Sequence, residues 1–270
     1  MSTNSKTEIN KFGIVVIESL KEGELQTGTK LYNEVLRPRC AAEESMFCEY
    51  YRVHSVSDFN NIFFTIIQKH QDNEMLALHI EAHGCEEGVG LSSGDLITWK
   101  HFLDCCRALN VELCGLLIVT TALCYSISIM GAIDPSLRAP FKAIVITRRP
   151  VTADEVLRGY SEYFGTYTNI LDIGPAKEAM RREVNSGTPD TSPFEMITSN
   201  WLFDQITNPD RDSEAFQHIV NQQYCIKNQF TQHIREIESR RRFDYCFKLF
   251  KNGKIISHLK IFITVDFAEV

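Results

Sequence analysis

Two apolar runs limit what this chain of 270 residues can fold into more than any other feature. Met75 to Gly84 (MLALHIEAHG) and Leu116 to Tyr125 (LLIVTTALCY) are apolar almost without a break, the pattern of strands covered on both faces. Three shorter runs have strand composition: Phe12 to Ile17, Phe47 to Val53 and Pro140 to Ile146. Stretches of helical spacing lie between them. Lys30 to Leu36 follows Thr27-Gly28-Thr29, and Ser57-Asp58 can cap a helix carrying Phe59, Ile62, Phe63, Ile66 and Ile67. Trp99, Phe102, Leu103, Cys106 and Leu109 mark another, which Asn110 can end; Thr152 and Asp154 cap a last one with Leu157, Tyr160, Phe164 and Tyr167 on one stripe. This alternation, from residue 12 to about residue 168, predicts an α/β fold: a mostly parallel sheet with helices on both faces.

The chain changes character after residue 184. Asn185 to Pro193 is a turn-rich linker, and Asn208 to Asp212 is a second break. Helical stretches are expected over Phe194 to Ile206 and from Ser213 to about Arg240. A hairpin is expected over Phe243 to Phe267, turning at Lys251 to Lys254. The organisation read from the sequence is therefore a first domain, 1–184, and a C-terminal helical and hairpin extension, 185–270, to which no role is assigned.

Composition narrows the function classes. With 28 basic against 35 acidic residues the net charge is −7, and the one compact basic run is Arg240 to Arg242, so no nucleic-acid partner is expected. Nine cysteines without a C-x-x-C pair read as reduced thiols in the cytoplasm. The polar amino terminus, MSTNSKTEINK, shows no secretory signal. Leu113 to Ile133 is long enough to span a bilayer and lacks charge. It is interrupted by Thr120, Thr121, Ser126, Ser128 and Gly131 and has no basic flanks, so a buried strand leading into a short helix is expected and a membrane is not. The glycine-rich loop Cys85 to Asp95 fits neither nucleotide-cradle pattern, and no cofactor is expected. His79, Glu81 and His83 alternate onto one strand face, but histidines four apart on a strand are separated by about 13 Å, which argues against a shared metal ion.

In a parallel sheet the carboxyl ends of neighbouring strands open into one crevice, where His83 and Cys124 can meet. A thiolate is the competent nucleophile, and a histidine within reach takes its proton and returns it to a leaving amine. Gly84 lets the backbone come close to a substrate, so the N–H groups of Gly84 and Cys124 are candidate oxyanion donors. Glu81 either orients a catalytic group or lines a subsite, or else is a hydrogen-bonded core carboxylate. Burial as a small hydrophobe is the competing reading of Cys124. Phosphatase chemistry would need an arginine six positions after the thiol, where Met130 stands.

These residues resemble the caspase-like cysteine peptidases, the group that includes caspases, metacaspases, separase, gingipain and bacterial CHAT-domain proteins. The similarity is carried by HIEAHG, by Gly94 to Trp99 ahead of a helix, by LLIVTTALCYS, and by Pro140-Phe141-KAIVI followed by EVLRGYSEYF, over residues ~12 to ~170. Bacterial caspase-like proteins, some resembling effectors of antiphage defence, are closest in character. The resemblance implies a regulated cysteine endopeptidase with Cys124 as nucleophile, His83 as base and the backbone of Gly84 and Cys124 as oxyanion hole. A protein substrate is the implied partner, together with an activating small molecule or regulatory protein. Caspases carry Gln-Ala-Cys where this chain has Ala122-Leu123-Cys124, so aspartate specificity does not transfer. Asp95 and Asp134 are candidate pocket walls for a basic residue before the cut, and Arg148 and Arg149 for an acidic one. The alternative is a catalytically silent caspase-fold sensor or protein-binding module; a third class is another thiol hydrolase or acyltransferase.

Overall fold

A computed structural model describes residues 11–70, 74–134, 137–184 and 192–202. Its strands are β1 (Lys11–Ser19), β2 (Met46–Arg52), β3 (Glu74–Gly84), β4 (Gly88–Gly90), β5 (Leu96–Thr98), β6 (Leu117–Ala122), β7 (Ala143–Thr147) and β8 (Phe194–Thr198). The main sheet runs in the order β2-β1-β3-β6-β7-β8. Its pairings are parallel from β2 to β7, and β8 closes it antiparallel to β7. The fold is thus mixed α/β with a mostly parallel sheet flanked by helices.

Alternation along each strand divides the core in two. Val15, Ile17, Leu76, Leu78, Ile80, Leu117 and Val119 share one layer with α3 (Val56–Lys69) and α4 (Trp99–Glu112). Ile14, Val16, Ala77, Ile118 and Val145 share the other with α5 (Ala153–Ile170) and α6 (Ile173–Val184), whose Tyr160, Tyr163, Phe164, Tyr167 and Met180 are fully buried. Within α5 Tyr163 packs edge to face on Phe164 at 5.2 Å between centroids, and Phe12 meets Tyr167 in the same way at 5.1 Å. Each such ring contributes about 1.5–3 kcal/mol through burial alone.

A helical run covers the second layer next to β1. It begins as α1 (Thr27–Lys30), passes through a π-helical stretch, Leu31–Leu36, and ends as α2 (Arg37–Ala42). Pro38 supplies the reason: it has no N–H for the regular i→i−4 bond and its ring crowds the preceding turn, so the backbone opens just before it.

Several local expectations are corrected. The cap of α3 is Ser55, not Ser57; its hydroxyl accepts from Asp58 N–H while Asp58 receives the Ser55 amide, a reciprocal box. Asn110 does not end α4, which runs on to Glu112. It is buried, accepts from Leu117 N–H at 3.0 Å and donates to the Ala139 carbonyl at 2.9 Å, tying α4 to the entry of β6. The glycine-rich loop after Gly84 is a hairpin, with Val89 of β4 opposite Ile97 of β5. Phe194–Thr198, expected to begin a helix, is the β8 strand: pairing with β7 along Thr147↔Phe194 to Ala143↔Thr198 outweighs its helical spacing. The sheet therefore takes its last strand from beyond residue 185. The helix expected from Ser213 to about Arg240, the basic run Arg240 to Arg242 and the terminal hairpin lie outside the described residues. Leu113 to Ile133 forms the turn after α4, then β6, a second turn and a 3-10 helix (Ser126–Ala132), and among the described residues no helix is long and apolar enough to cross a membrane.

Candidate functional site

The strand order fixes where a ligand crevice can open. β1 leads outward to β2 on one side, whereas β3 sits on the other side of β1 and leads on to β6. The connections diverge at the carboxyl ends of β1 and β3, and in open parallel sheets such a divergence leaves a crevice. His83 stands at its mouth.

The β3–β6 ladder carries Glu81 opposite Ala122, so continuing that register brings His83 to the level of Cys124. Contact is made by the next residue. A Cβ placed on Gly84 would lie 2.2 Å from the Cys124 carbonyl oxygen and 2.9 Å from its nitrogen, so the two backbones touch and only glycine fits. Cys85 N–H donates to the Gly88 carbonyl at 3.0 Å, which makes Gly84↔Val89 the non-hydrogen-bonded pair of the β3–β4 ladder. The Gly84 amide is consequently turned away from β4, toward β6 and Cys124.

Cys124 is half-buried, with its Sγ 4.0 Å from the Val151 carbonyl oxygen. Its turn is held by three hydroxyls. Ser126 Oγ accepts from Thr147 N–H at 2.7 Å and from Thr121 Oγ1 at 2.9 Å, and Thr147 Oγ1 donates to the Leu123 carbonyl. Tyr125 completes the turn in the left-handed region (φ 55°), so the chain bends sharply at the thiol; its ring is 42 % exposed.

The His83 side chain is 56 % exposed and its Nε2 faces the Glu24 carboxylate, at 2.9 Å from Oε1 and 3.1 Å from Oε2. Glu24 belongs to the loop between β1 and α1. Its carboxyl is held below the usual range first by the Lys21 N–H, which donates to Oε2 at 2.7 Å, and further by His83.

The other expected site residues are placed differently. Glu81 is buried: Oε1 lies 3.0 Å from His79 Nε2, and Oε2 accepts the Thr27 hydroxyl. His79 Nδ1 pairs with Thr120 Oγ1 at 2.7 Å, and its ring packs on Tyr160 at 4.4 Å. His79 and Glu81 are therefore partners of each other inside the core, while His83 is exposed; the three do not converge, and Glu81 has the surroundings of a core carboxylate. Ala122 is buried. Asp95 Oδ2 accepts the Val56 N–H at 3.4 Å, placing it at the amino end of α3, where the helix dipole favours an anion. Asp134 follows the 3-10 helix, and its carbonyl accepts from Leu137 N–H at 3.2 Å. Arg148 pairs with Glu195, and Arg149 with Glu155 at 2.6 Å, so both guanidinium groups are engaged by carboxylates.

Alongside this cluster lies a second buried carboxylate, Glu18, near the end of β1. It accepts from Gly28 N–H at 2.8 Å, Thr29 N–H at 3.1 Å, Thr29 Oγ1 at 2.8 Å and Tyr50 OH at 2.5 Å. This fastens the amino end of α1 to the sheet edge beside the crevice.

Glu24, Thr121, Ser126 and Thr147 were missed by reasoning from sequence. Thr121 lies within the run that ends on Cys124, where a hydroxyl inside an otherwise apolar strand is a signal that the backbone there needs partners, and Ser126 follows two residues after the thiol. Glu24 leaves no such signal.

Comparison with known protein families finds no matching family model, and comparison with curated proteins finds no match.

Proposed function

We propose that the chain is a cysteine endopeptidase of the caspase-like kind, acting on protein substrates through Cys124 and His83. The observation that carries this reading is the backbone contact between Gly84 and Cys124 at the carboxyl ends of β3 and β6, which sets the residue after the imidazole against the backbone of the residue that bears the thiol. Support for the caspase-like fold comes from the strand order, from the place of His83 at the end of β3 and of Cys124 just past its parallel neighbour β6, and from the closing antiparallel strand.

The chemistry follows from these groups. His83 takes the Cys124 proton as sulfur attacks the carbonyl carbon of the scissile bond. The resulting oxyanion is met by the Gly84 and Cys124 N–H groups. His83 then gives its proton to the departing amine as the C–N bond breaks, leaving a thioester on Cys124. Water, deprotonated by His83, attacks that thioester; the C–S bond breaks to release the acid, and His83 returns the proton to the Cys124 sulfur. General acid–base help of this type is worth about 10²–10⁴-fold in rate. The exposed imidazole and the exposed Tyr125 ring leave the crevice open to an extended chain.

Labelling with a thiol-directed peptide electrophile tests the pair. Cys124 should be modified in the wild-type chain and react at least tenfold more slowly in His83→Ala. Equal rates would mean that His83 does not serve the thiol, and would favour a silent sensor or binding module.

A further inference from the structure

The loop that carries Glu24 is built more rigidly than a surface connection requires. Glu24 N–H donates to the Lys21 carbonyl at 3.2 Å, and Gly23 takes the positive φ (91°) that the turn needs. Gln26 Nε2 donates to the Lys21 carbonyl at 3.0 Å and to the Glu24 carbonyl at 2.9 Å, while Gln26 Oε1 accepts from Arg52 at the end of β2. The turn is thus closed from within and fastened to the neighbouring strand, and its outcome is a carboxylate aimed at one ring nitrogen of His83.

We propose that Glu24 is the positioning residue of the site: its carboxylate accepts the His83 Nε2 proton and commits Nδ1 to the Cys124 thiol. This rests on the thiol–imidazole reading above. A carboxylate only accepts, so the nitrogen it faces at 2.9 Å carries the hydrogen. In a neutral ring the other nitrogen, Nδ1, then holds the lone pair and is the one atom able to take a proton from sulfur. After transfer the imidazolium donates from Nε2 to an anion already in place, so the charge that develops on the ring meets a fixed counter-charge. The carboxyl's lowered pKa, set mainly by the Lys21 amide, keeps it ionised beside the ring. A pair this exposed adds little to folding, so its removal is expected to register in reactivity rather than in stability.

The test uses the full chain, with Glu24→Gln beside Glu22→Gln, a neighbour in the same loop that alters charge equally. Nitrogen-15 spectra of the ring give the tautomer directly. In the wild-type and Glu22→Gln chains, neutral His83 should show a protonated Nε2 and an unprotonated Nδ1. In Glu24→Gln the tautomers should mix, because an amide can donate as well as accept. Alkylation of Cys124 by iodoacetamide, followed residue by residue in mass spectra, should slow at least tenfold at neutral pH in Glu24→Gln only. An unchanged tautomer would overturn the proposal, as would faster alkylation, which would make Glu24 a latch holding the base off the thiol. If Cys124→Ala left peptide cleavage intact, the peptidase reading would fall while the tautomer result still judged Glu24.

Discussion

Among the single residues of the site, Gly84 is the most tightly constrained. Any side chain there meets the Cys124 backbone, so Gly84→Ala must push the ends of β3 and β6 apart. The expected cost is about 1–3 kcal/mol, the range for overpacking, read as a lowered denaturation midpoint. Reaction of Cys124 with an electrophile should be lost at the same time. A variant that keeps wild-type stability and labelling would show that the two backbones are not in contact. A different thiol invites a separate check. Cys48 is brought down to about 7, chiefly by a hydrogen bond from Cys40 and with help from Tyr32 and Arg37, against the effect of its own burial. Cys40 is pushed up in turn. The thiolate fraction at Cys48 should therefore rise through neutral pH, about two units earlier than for an ordinary thiol, whose pKa lies near 8.5–9. Alkylation between pH 6 and 9, quantified for each cysteine, should show Cys48 reacting well before Cys40 and before fully buried Cys106. The reverse order would contradict the hydrogen-bond direction.

At the scale of elements, what matters is the turn after β6. Ser126 Oγ is fully buried and accepts from Thr147 N–H, so Ser126→Ala leaves that amide without its acceptor, while Thr121 Oγ1 keeps the Val145 carbonyl at 2.9 Å. That should cost about 1–3 kcal/mol and slow Cys124 labelling, because the turn presenting the thiol loosens. Loss of stability without any change in labelling would detach the hydroxyl network from the site. The elements also show what a sequence can and cannot reveal. β1, β3, β6, α3 and α5 were legible because burial on one or both faces imposes a period or an apolar run. β4 and β5 were not: three residues each, two of β4's three being Gly88 and Gly90, are too short to establish a period. β8 read as helix because the spacing of Phe194, Ile197 and Leu202 fits one, and the competing factor, an open edge on β7, exists only in three dimensions. His83 and Cys124 stood out because each ends a strand whose direction can be inferred. Glu24 did not, since the 59 positions that separate it from His83 are closed only by the return of β3 alongside β1.

For the whole molecule, the sheet edge joins two kinds of polar chemistry. One is solvent-facing, His83 with Glu24 near the half-buried Cys124. The other is buried and fully partnered, Glu18 on the amino end of α1 and Thr120–His79–Glu81–Thr27 across β6, β3 and α1. The buried set fixes the helix start and strand ends relative to one another, and the loop that places Glu24 runs between those fixed points. Glu81→Ala removes the acceptor of both Thr27 and His79, and should destabilise the fold by about 3–5 kcal/mol, measured by denaturant unfolding. Were Glu81 instead a wall of a substrate subsite, the same change would leave stability untouched and alter KM alone.

The central claim, that Cys124 and His83 form a peptide-cleaving pair, is met most directly by a proteome-wide comparison of new peptide amino termini produced by the wild-type chain, Cys124→Ala and His83→Ala. The account predicts a set of new termini, sharing a local sequence preference, that is present with the wild-type chain and absent with both variants. Identical sets of termini from all three chains would contradict it.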